Sequence, residues 1–405
     1  MKKTIAHLLP DYNPFPPIYA AGTELRVEQV ARRQQRYRPV VVCGAFPGEA
    51  ERETIDAMVV RRIRTGRIYR RIFRKITRLD PWPYTARMWR IVREENTRLI
   101  HIHNEPKLLA GLAPHFAPYF AQANLPLVVH VANEKPLPVH ALPLVTQWVA
   151  CSRYLAGWIE QQGVPPEHIG VIYTGVDTAS RRPLWESTPA VRAALRSRFG
   201  VSDPDATVLV FAGRLVEEKG VDELLDAFDR LRLQHGTRVE LLIAGNVRDS
   251  DDPRNTKAVY GRKVTQRIAA TPGAKWVGSL TPANMHEFLL AGDIFALPSL
   301  WPDPFPTVML EAAAAGLPIV AAARGGITEF LEDCPAFSFV DDPADAADLA
   351  DNIGRYVLAP ADRGIAGRWL REQVESRFDW SRVCLEFEDM YDRLLNVTGS
   401  ATAAR

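Results

Sequence analysis

The chain has 405 residues, longer than the roughly 250 to 300 over which a single hydrophobic core grows, so two domains of about 200 residues are expected. At 47% hydrophobic and 24% charged the composition is that of a globular protein, which excludes disordered, collagen-like and heptad-dominated chains. The formal charge of +2 conceals an asymmetry: residues 1–180 carry 24 basic and 15 acidic side chains, a net +9, and the remainder nets −7, so the front half is suited to an anionic partner.

In chain order, Thr4 to Leu9, Val40 to Cys43, Leu99 to His103, Leu127 to Val131, Trp148 to Ala150 and Ile169 to Tyr173 read as strands. Between them, Glu24 to Tyr37 and Ser152 to Gln162 have helical spacing, the second opening on a serine able to cap it. A polar, proline-bearing stretch from Asp177 to Pro204 reads as a join. The same alternation then restarts, with strands at Thr207 to Phe211, Glu240 to Ala244, Lys275 to Val277, Ile294 to Leu297 and Pro318 to Ala321 and helices from Val221, Pro282, Phe305 and Pro343. Repeated β-α units imply two α/β domains with parallel, doubly wound sheets, whose ligands bind beyond the C-terminal ends of the strands. Cys43, Cys151, Cys334 and Cys384 show no metal or disulfide spacing, and no apolar run reaches transmembrane length. The N-terminal apolar run is broken by His7 and closed by Pro10, too short for a signal segment, and the expected location is cytoplasmic.

Two segments carry chemistry. In Phe211-Ala212-Gly213-Arg214-Leu215-Val216-Glu217-Glu218-Lys219-Gly220, Arg214 offers a fork of donors and Lys219 a point charge, either a diphosphate clamp or a solvated loop paired to its own glutamates. In Pro298 to Ala312, Asp303 lies on a proline-rich loop and Glu311 eight residues on, about two turns into a helix. Pro306 suits a helix start, so the first-turn amides of Thr307 and Val308 would face a phosphate.

These segments, together with Ala315-Gly316-Leu317-Pro318-Ile319-Val320, Arg324-Gly325-Gly326-Ile327-x-Glu329, Ile172-Tyr173-Thr174-Gly175-Val176-Asp177, Ala21-Gly22-Thr23-Glu24 and Phe378-Asp379-Trp380-Ser381, resemble the family-4 retaining glycosyltransferases of the GT-B fold over nearly the whole chain. The surroundings of Asn133-Glu134 and Arg324-Gly325-Gly326 are similar, more weakly, to lipopolysaccharide-core and spore-coat transferases. The resemblance implies two Rossmann-like domains facing across a cleft. Residues 1–180 would bind the acceptor and 181–379 the nucleotide-sugar donor, with a last helix, about 380–396, returning to the first domain. By the same resemblance Arg214 and Lys219 neutralise the donor diphosphate, Glu311 binds ribose, Asp303 and His130 lie near the transferred sugar, and Gly22 lets its backbone approach the phosphates. Asp303 stands where the family has Glu, and Ala21 where it has a first loop glycine.

His103, Asn104 and Glu134 are expected to line the acceptor site, a reading favoured over the alternative that the strand end at His101 to Glu105 only caps the next helix, and His130, apart from the resemblance, reads as a hydrogen-bonded core histidine. Two histidines at i, i+2 beside Glu105 suggest a metal, yet no third ligand is apparent, and the resemblance implies neither metal nor cofactor. Residues 61–78 hold nine Lys/Arg and no acid, with an apolar face from Ile68 to Leu79, so the 61–79 segment is expected either to dock on an anionic membrane or to pack on its own domain. Nucleic acid is not expected, for want of aromatic interleaving and a recognition module. The expected activity is retaining transfer of a sugar, UDP-linked in preference to GDP-linked, to a glycan or glycolipid in cell-envelope polysaccharide or lipopolysaccharide synthesis. The alternatives are an epimerase or hydrolase of the same architecture, or a non-catalytic sugar-binding protein.

Overall fold

The computed structural model describes residues 2–17, 22–64, 72, 75–76, 84–123, 125–248, 250, 252, 254–337 and 339–403, with backbone alone for 119–123, 237 and 397–403. The chain divides into two compact units: Met1–Thr174 with Trp380–Arg405, and Gly175–Asp379.

The first unit is built on eight strands: β1 (Thr4–Leu8), β2 (Arg38–Gly44), β3 (Arg52–Ile55), β4 (Met58–Ile63), β5 (Thr97–His103), β6 (Leu127–Val131), β7 (Gln147–Ala150) and β8 (Ile169–Val171). They lie in the order β3-β4-β2-β1-β5-β6-β7-β8, parallel throughout except that β3 runs against β4. Every residue of β1 and of β6 is buried, as in strands covered on both faces. The serine cap is present: Ser152 Oγ accepts from the Leu155 amide at 3.2 Å and starts the helix Arg153–Gln161. The long helix Trp380–Ala403 completes this unit's core, with Val383, Phe387 and Tyr391 packed among Ile5, Val30, Leu99, Val128 and Val149. Glu388 on that helix, almost fully buried, accepts from the amides of Gln35 and Arg36 at 2.8 and 2.7 Å.

The β3–β4 hairpin was not expected, and it removes two cations from the basic segment. Arg61 and Arg62 are β4 residues. Arg62 is 5% exposed and donates to Phe15 O, Ala50 O and Glu53 at 2.7, 3.0 and 2.8 Å. Arg61 pairs with Glu94 at 2.8 Å and with Glu95. The helix expected from Gly66 lies outside the described residues except for 72, 75 and 76, of which Ile72 and Ile76 are exposed.

The second unit has β9 (Thr207–Ala212), β10 (Val239–Ala244), β11 (Ala274–Gly278), β12 (Ile294–Leu297) and β13 (Ile319–Ala321), all parallel, in the order β11-β10-β9-β12-β13. Strand order reverses between β9 and β12, which makes the C-terminal ends of these two strands the switch point of the sheet. Two expectations shift by a turn or less: the helices read from Phe305 and Pro343 begin at Thr307 and Ala346. The Asp177 to Pro204 stretch, read as a join, contains the helix Pro189–Phe199. Its cap is Thr188, its first residue a proline, and Gly200 closes it in the left-handed region at φ +85°.

Candidate functional site

The loops after β9, β12 and β13 are laced together by hydrogen bonds to backbone carbonyls. Leu300 N donates to Glu218 O at 3.0 Å, Arg324 Nη1 to Leu300 O at 2.7 Å, and Gly326 N to Asp303 O at 2.9 Å. Two glycines permit this. Gly220 has φ +69° and a Cβ there would lie 2.0 Å from Pro298 O; Gly325 has φ +62° and its Cβ would lie 2.2 Å from Asp303 O. The loops that carry Lys219 and Asp303 are thereby held together at the switch point.

Their states differ. Arg214 is exposed and has no ion-pair partner among the described residues. Lys219 is mostly buried, pairs with Asp303, and lies 5.7 Å from the centre of the Trp301 ring. Thr307 opens its helix with Pro306 before it and no side-chain cap, so the amides of Thr307 and Val308 have no acceptor among the described residues and point their donors outward. Glu311 accepts from Arg181 Nη2 at 2.7 Å; burial pushes its carboxyl upward, and the neighbouring guanidinium opposes that shift. Ser299 Oγ and Trp301 Nε1 are buried with no hydrogen-bond partner. One exposed cation, one cation shared with a carboxylate, and two free amides are chemically suited to a phosphate group, with the Glu311 carboxylate about one helical turn further along the same helix.

The first unit's residues are arranged otherwise. Strand register aligns His7 of β1 with His101 of β5, and His103 of β5 with His130 of β6. All four imidazoles are fully buried. His7 Nδ1 lies 3.0 Å from His103 Nε2 and His7 Nε2 3.3 Å from Gln34 Oε1; His101 Nδ1 lies 2.7 Å from Tyr391 Oη. His130 Nδ1 is 3.2 Å from Arg26 Nη1, and Arg26 also donates to Thr174 Oγ1 at 3.3 Å. Burial holds His7 down at about 4 and pulls His101, His103 and His130 well below the ordinary histidine value, so all four are neutral at pH 7.

This corrects the acceptor set. His103 lies beneath the surface in a hydrogen bond to His7 and does not line an open site. Asn104, at φ +50°, ties strand ends together: its amide donates to His130 O at 2.7 Å and its Oδ1 accepts from Ala132 N at 3.0 Å. Glu134 accepts from the Tyr154 hydroxyl. Gly22 begins the helix Gly22–Arg33 with nothing within 4 Å of a Cβ placed on it, so its own fold does not demand glycine; Ala21 lies outside the described residues. The third histidine that the sequence did not show is His7. One ring nitrogen each from His7, His101 and His103 lie within 4.8 Å of one another. His7 bonds His103 and Gln34 and His101 bonds Tyr391, while His101 Nε2 and His103 Nδ1 are buried without a partner; nevertheless no carboxylate pairs with the group among the described residues, and the Arg26 guanidinium borders it. A dication there would lack charge compensation.

Two Rossmann-like units, with phosphate-suited loops at the switch point of the second, define a GT-B glycosyltransferase. Comparison with known proteins agrees. Residues 20–180 match the family described as Glycosyltransferase Family 4, and residues 196–365 match Glycosyl transferases group 1. The chain belongs to these glycosyltransferases. It is 29% identical to the lipopolysaccharide 1,2-N-acetylglucosaminetransferase of Salmonella typhimurium over 96% of this chain and 98% of that one. It is 23% identical to spore coat protein SA of Bacillus subtilis over 96% and 99%. Among solved structures, Anabaena HepE in complex with UDP and glucose superposes with a TM-score of 0.73 at 21% identity, covering 96% of this chain and 99% of that one. No helix among the described residues is long and apolar enough to cross a membrane.

Proposed function

We propose that the enzyme moves a sugar from a nucleotide diphosphate to a hydroxyl of a glycan or glycolipid, with retention at the anomeric carbon and without a metal, in the synthesis of lipopolysaccharide or a related envelope polysaccharide. The observation that carries this reading is the convergence of Arg214, Lys219 and the open amides of Thr307 and Val308 at the β9/β12 switch point, with Glu311 on the same helix. In the reaction the bond from the anomeric carbon to the diphosphate breaks and a new one to the acceptor oxygen forms on the same face. The electron pair leaves with the diphosphate, whose departing oxygen takes the acceptor's proton, so no strong base is needed. Arg214, Lys219 and the amides stabilise the charge developing on that leaving group, and stabilisation of this kind ordinarily lowers such a barrier more than any other single effect. They do for the diphosphate what a bound dication would do. Asp303 would hold sugar hydroxyls once Lys219 turns to phosphate, and Glu311 would accept ribose protons; His130, expected near the sugar, is instead fully buried against Arg26 and has no part in this reading.

The names of the relatives favour an envelope acceptor and a UDP-linked donor over a GDP-linked one. Contact with an anionic membrane through the remaining cations of residues 61–79 belongs to the same proposal. The test is a thermal-shift screen against UDP-, GDP-, ADP- and CMP-sugars followed by turnover assays. A UDP-sugar is expected to raise Tm, because it binds only the folded state, and nucleotide release is expected to require a glycan acceptor. Rapid release with no acceptor would point to a hydrolase or epimerase, and no shift with any donor would end the reading.

A further inference from the structure

Arg181 belongs to the polar stretch that reads in the sequence as a mere join, yet its side chain reaches the helix carrying Glu311. Its Nη2 holds Glu311 Oε1 at 2.7 Å, and the two side chains are 14% and 18% exposed, so a ligand can still reach the carboxylate. Among the described residues no hydrogen bond engages Glu311 Oε2. The backbone around Arg181 is fixed. Thr178 N and Oγ1 donate to Asp379 at 3.1 and 2.6 Å, Leu184 N donates to Ala315 O at 2.8 Å, and the buried Arg371 donates to Arg181 O and, at 2.6 Å, to Ala314 O. One guanidinium thus ties the Arg181 backbone to the end of the Glu311 helix. Meanwhile the Nε and Nη1 hydrogens of Arg181 are buried with no acceptor, which a purely structural ion pair leaves unexplained.

A ribose hydroxyl would answer both deficits, because it can donate a proton to a carboxylate and accept one from a guanidinium. We propose that Arg181 completes the ribose site: it holds one oxygen of Glu311, leaves the other to accept a ribose hydroxyl proton, and turns one of its uncommitted N–H groups to that hydroxyl's oxygen. This rests on the reading of Glu311 as the ribose acid. Arg181 also opposes the upward shift that burial imposes on Glu311.

The experiment measures binding of UDP and of 2′- and 3′-deoxy-UDP by calorimetry to the full chain and to Arg181→Met, Arg181→Lys and Glu311→Gln, with Tm recorded for each. The ratio of the two affinities is read from folded protein, so a partial loss of stability does not mask the result. The unmodified chain is expected to prefer UDP by about tenfold or more, the scale of losing one hydrogen bond to a charged group. In Arg181→Met the ratio should fall to within about twofold of unity, with Arg181→Lys between the two. If Glu311→Gln loses the preference while Arg181→Met keeps it in full, the role of Arg181 is overturned and the donor reading stands. If Glu311→Gln itself keeps the preference, or no form binds UDP, the ribose reading fails first and takes this inference with it.

Discussion

The two units place their polar groups in opposite ways. In the second, charge sits on loops and at a helix start: Arg214 open to solvent, Lys219 balanced by Asp303, Glu311 balanced by Arg181. In the first, four neutral imidazoles, Arg26, Gln34 and Tyr391 fill strand and helix positions that would otherwise be apolar core. Paired charge on loops can change partners when a diphosphate arrives. A buried neutral network cannot do so cheaply, and its worth lies in holding β1, β5, β6 and the last helix in one register.

The sharpest way to break this contrast is Arg214→Ala. Arg214 is exposed and unpaired among the described residues, so turnover should fall about a hundredfold or more, the scale of losing one preorganised charge-stabilising group, with Tm unchanged. Near-normal turnover would remove it from the phosphate seat. Lys219→Ala should lower turnover similarly but also lower stability by roughly 1–3 kcal/mol, because Asp303, 7% exposed, loses its counter-charge. Lys219→Ala combined with Asp303→Ala should recover the stability and not the turnover; denaturant midpoints and initial rates separate the two, and recovery of both would make the pair merely structural.

The smallest effect at neutral pH belongs to the first unit. His7 is held at about 4 against 6.5 for an exposed histidine, so between these values the unfolded chain takes up a proton that the folded chain refuses. Stability from this source is complete above pH 6.5 and falls as the pH drops toward 4, and His101, His103 and His130 act in the same direction. Tm measured against pH should decline over that window, less steeply in His7→Gln. An identical profile in the variant would detach the cluster from acid sensitivity.

Much of the second unit's site is legible in the sequence because loop chemistry is local. Gly213-Arg214 and Lys219 fall between one strand and one helix, and Asp303, Pro306 and Glu311 fit one loop and just over one helical turn. The first unit's column is not legible, since His7, His101 and His130 become neighbours only through strand pairing and each looks like a lone histidine in an apolar run. Arg62 misled for a related reason: an arginine among cations reads as surface, and only the β3–β4 hairpin shows that Phe15, Ala50 and Glu53 enclose it. Arg181 carried no signal, because nothing in a polar join marks which side chain turns inward.

The helix Trp380–Ala403 has a consequence for how the molecule is made. Val383, Phe387 and Tyr391 are core residues of a sheet whose first strand, Thr4–Leu8, leaves the ribosome long before them, so the unit begun first is finished last. Until then Ile5, Leu99 and Val128 lack their cover, while Gly175–Asp379 already contains every strand of its own sheet. The second unit is thereby placed to close first during synthesis, and the unit bearing the histidine column stays unsealed until the helix Trp380–Ala403 arrives.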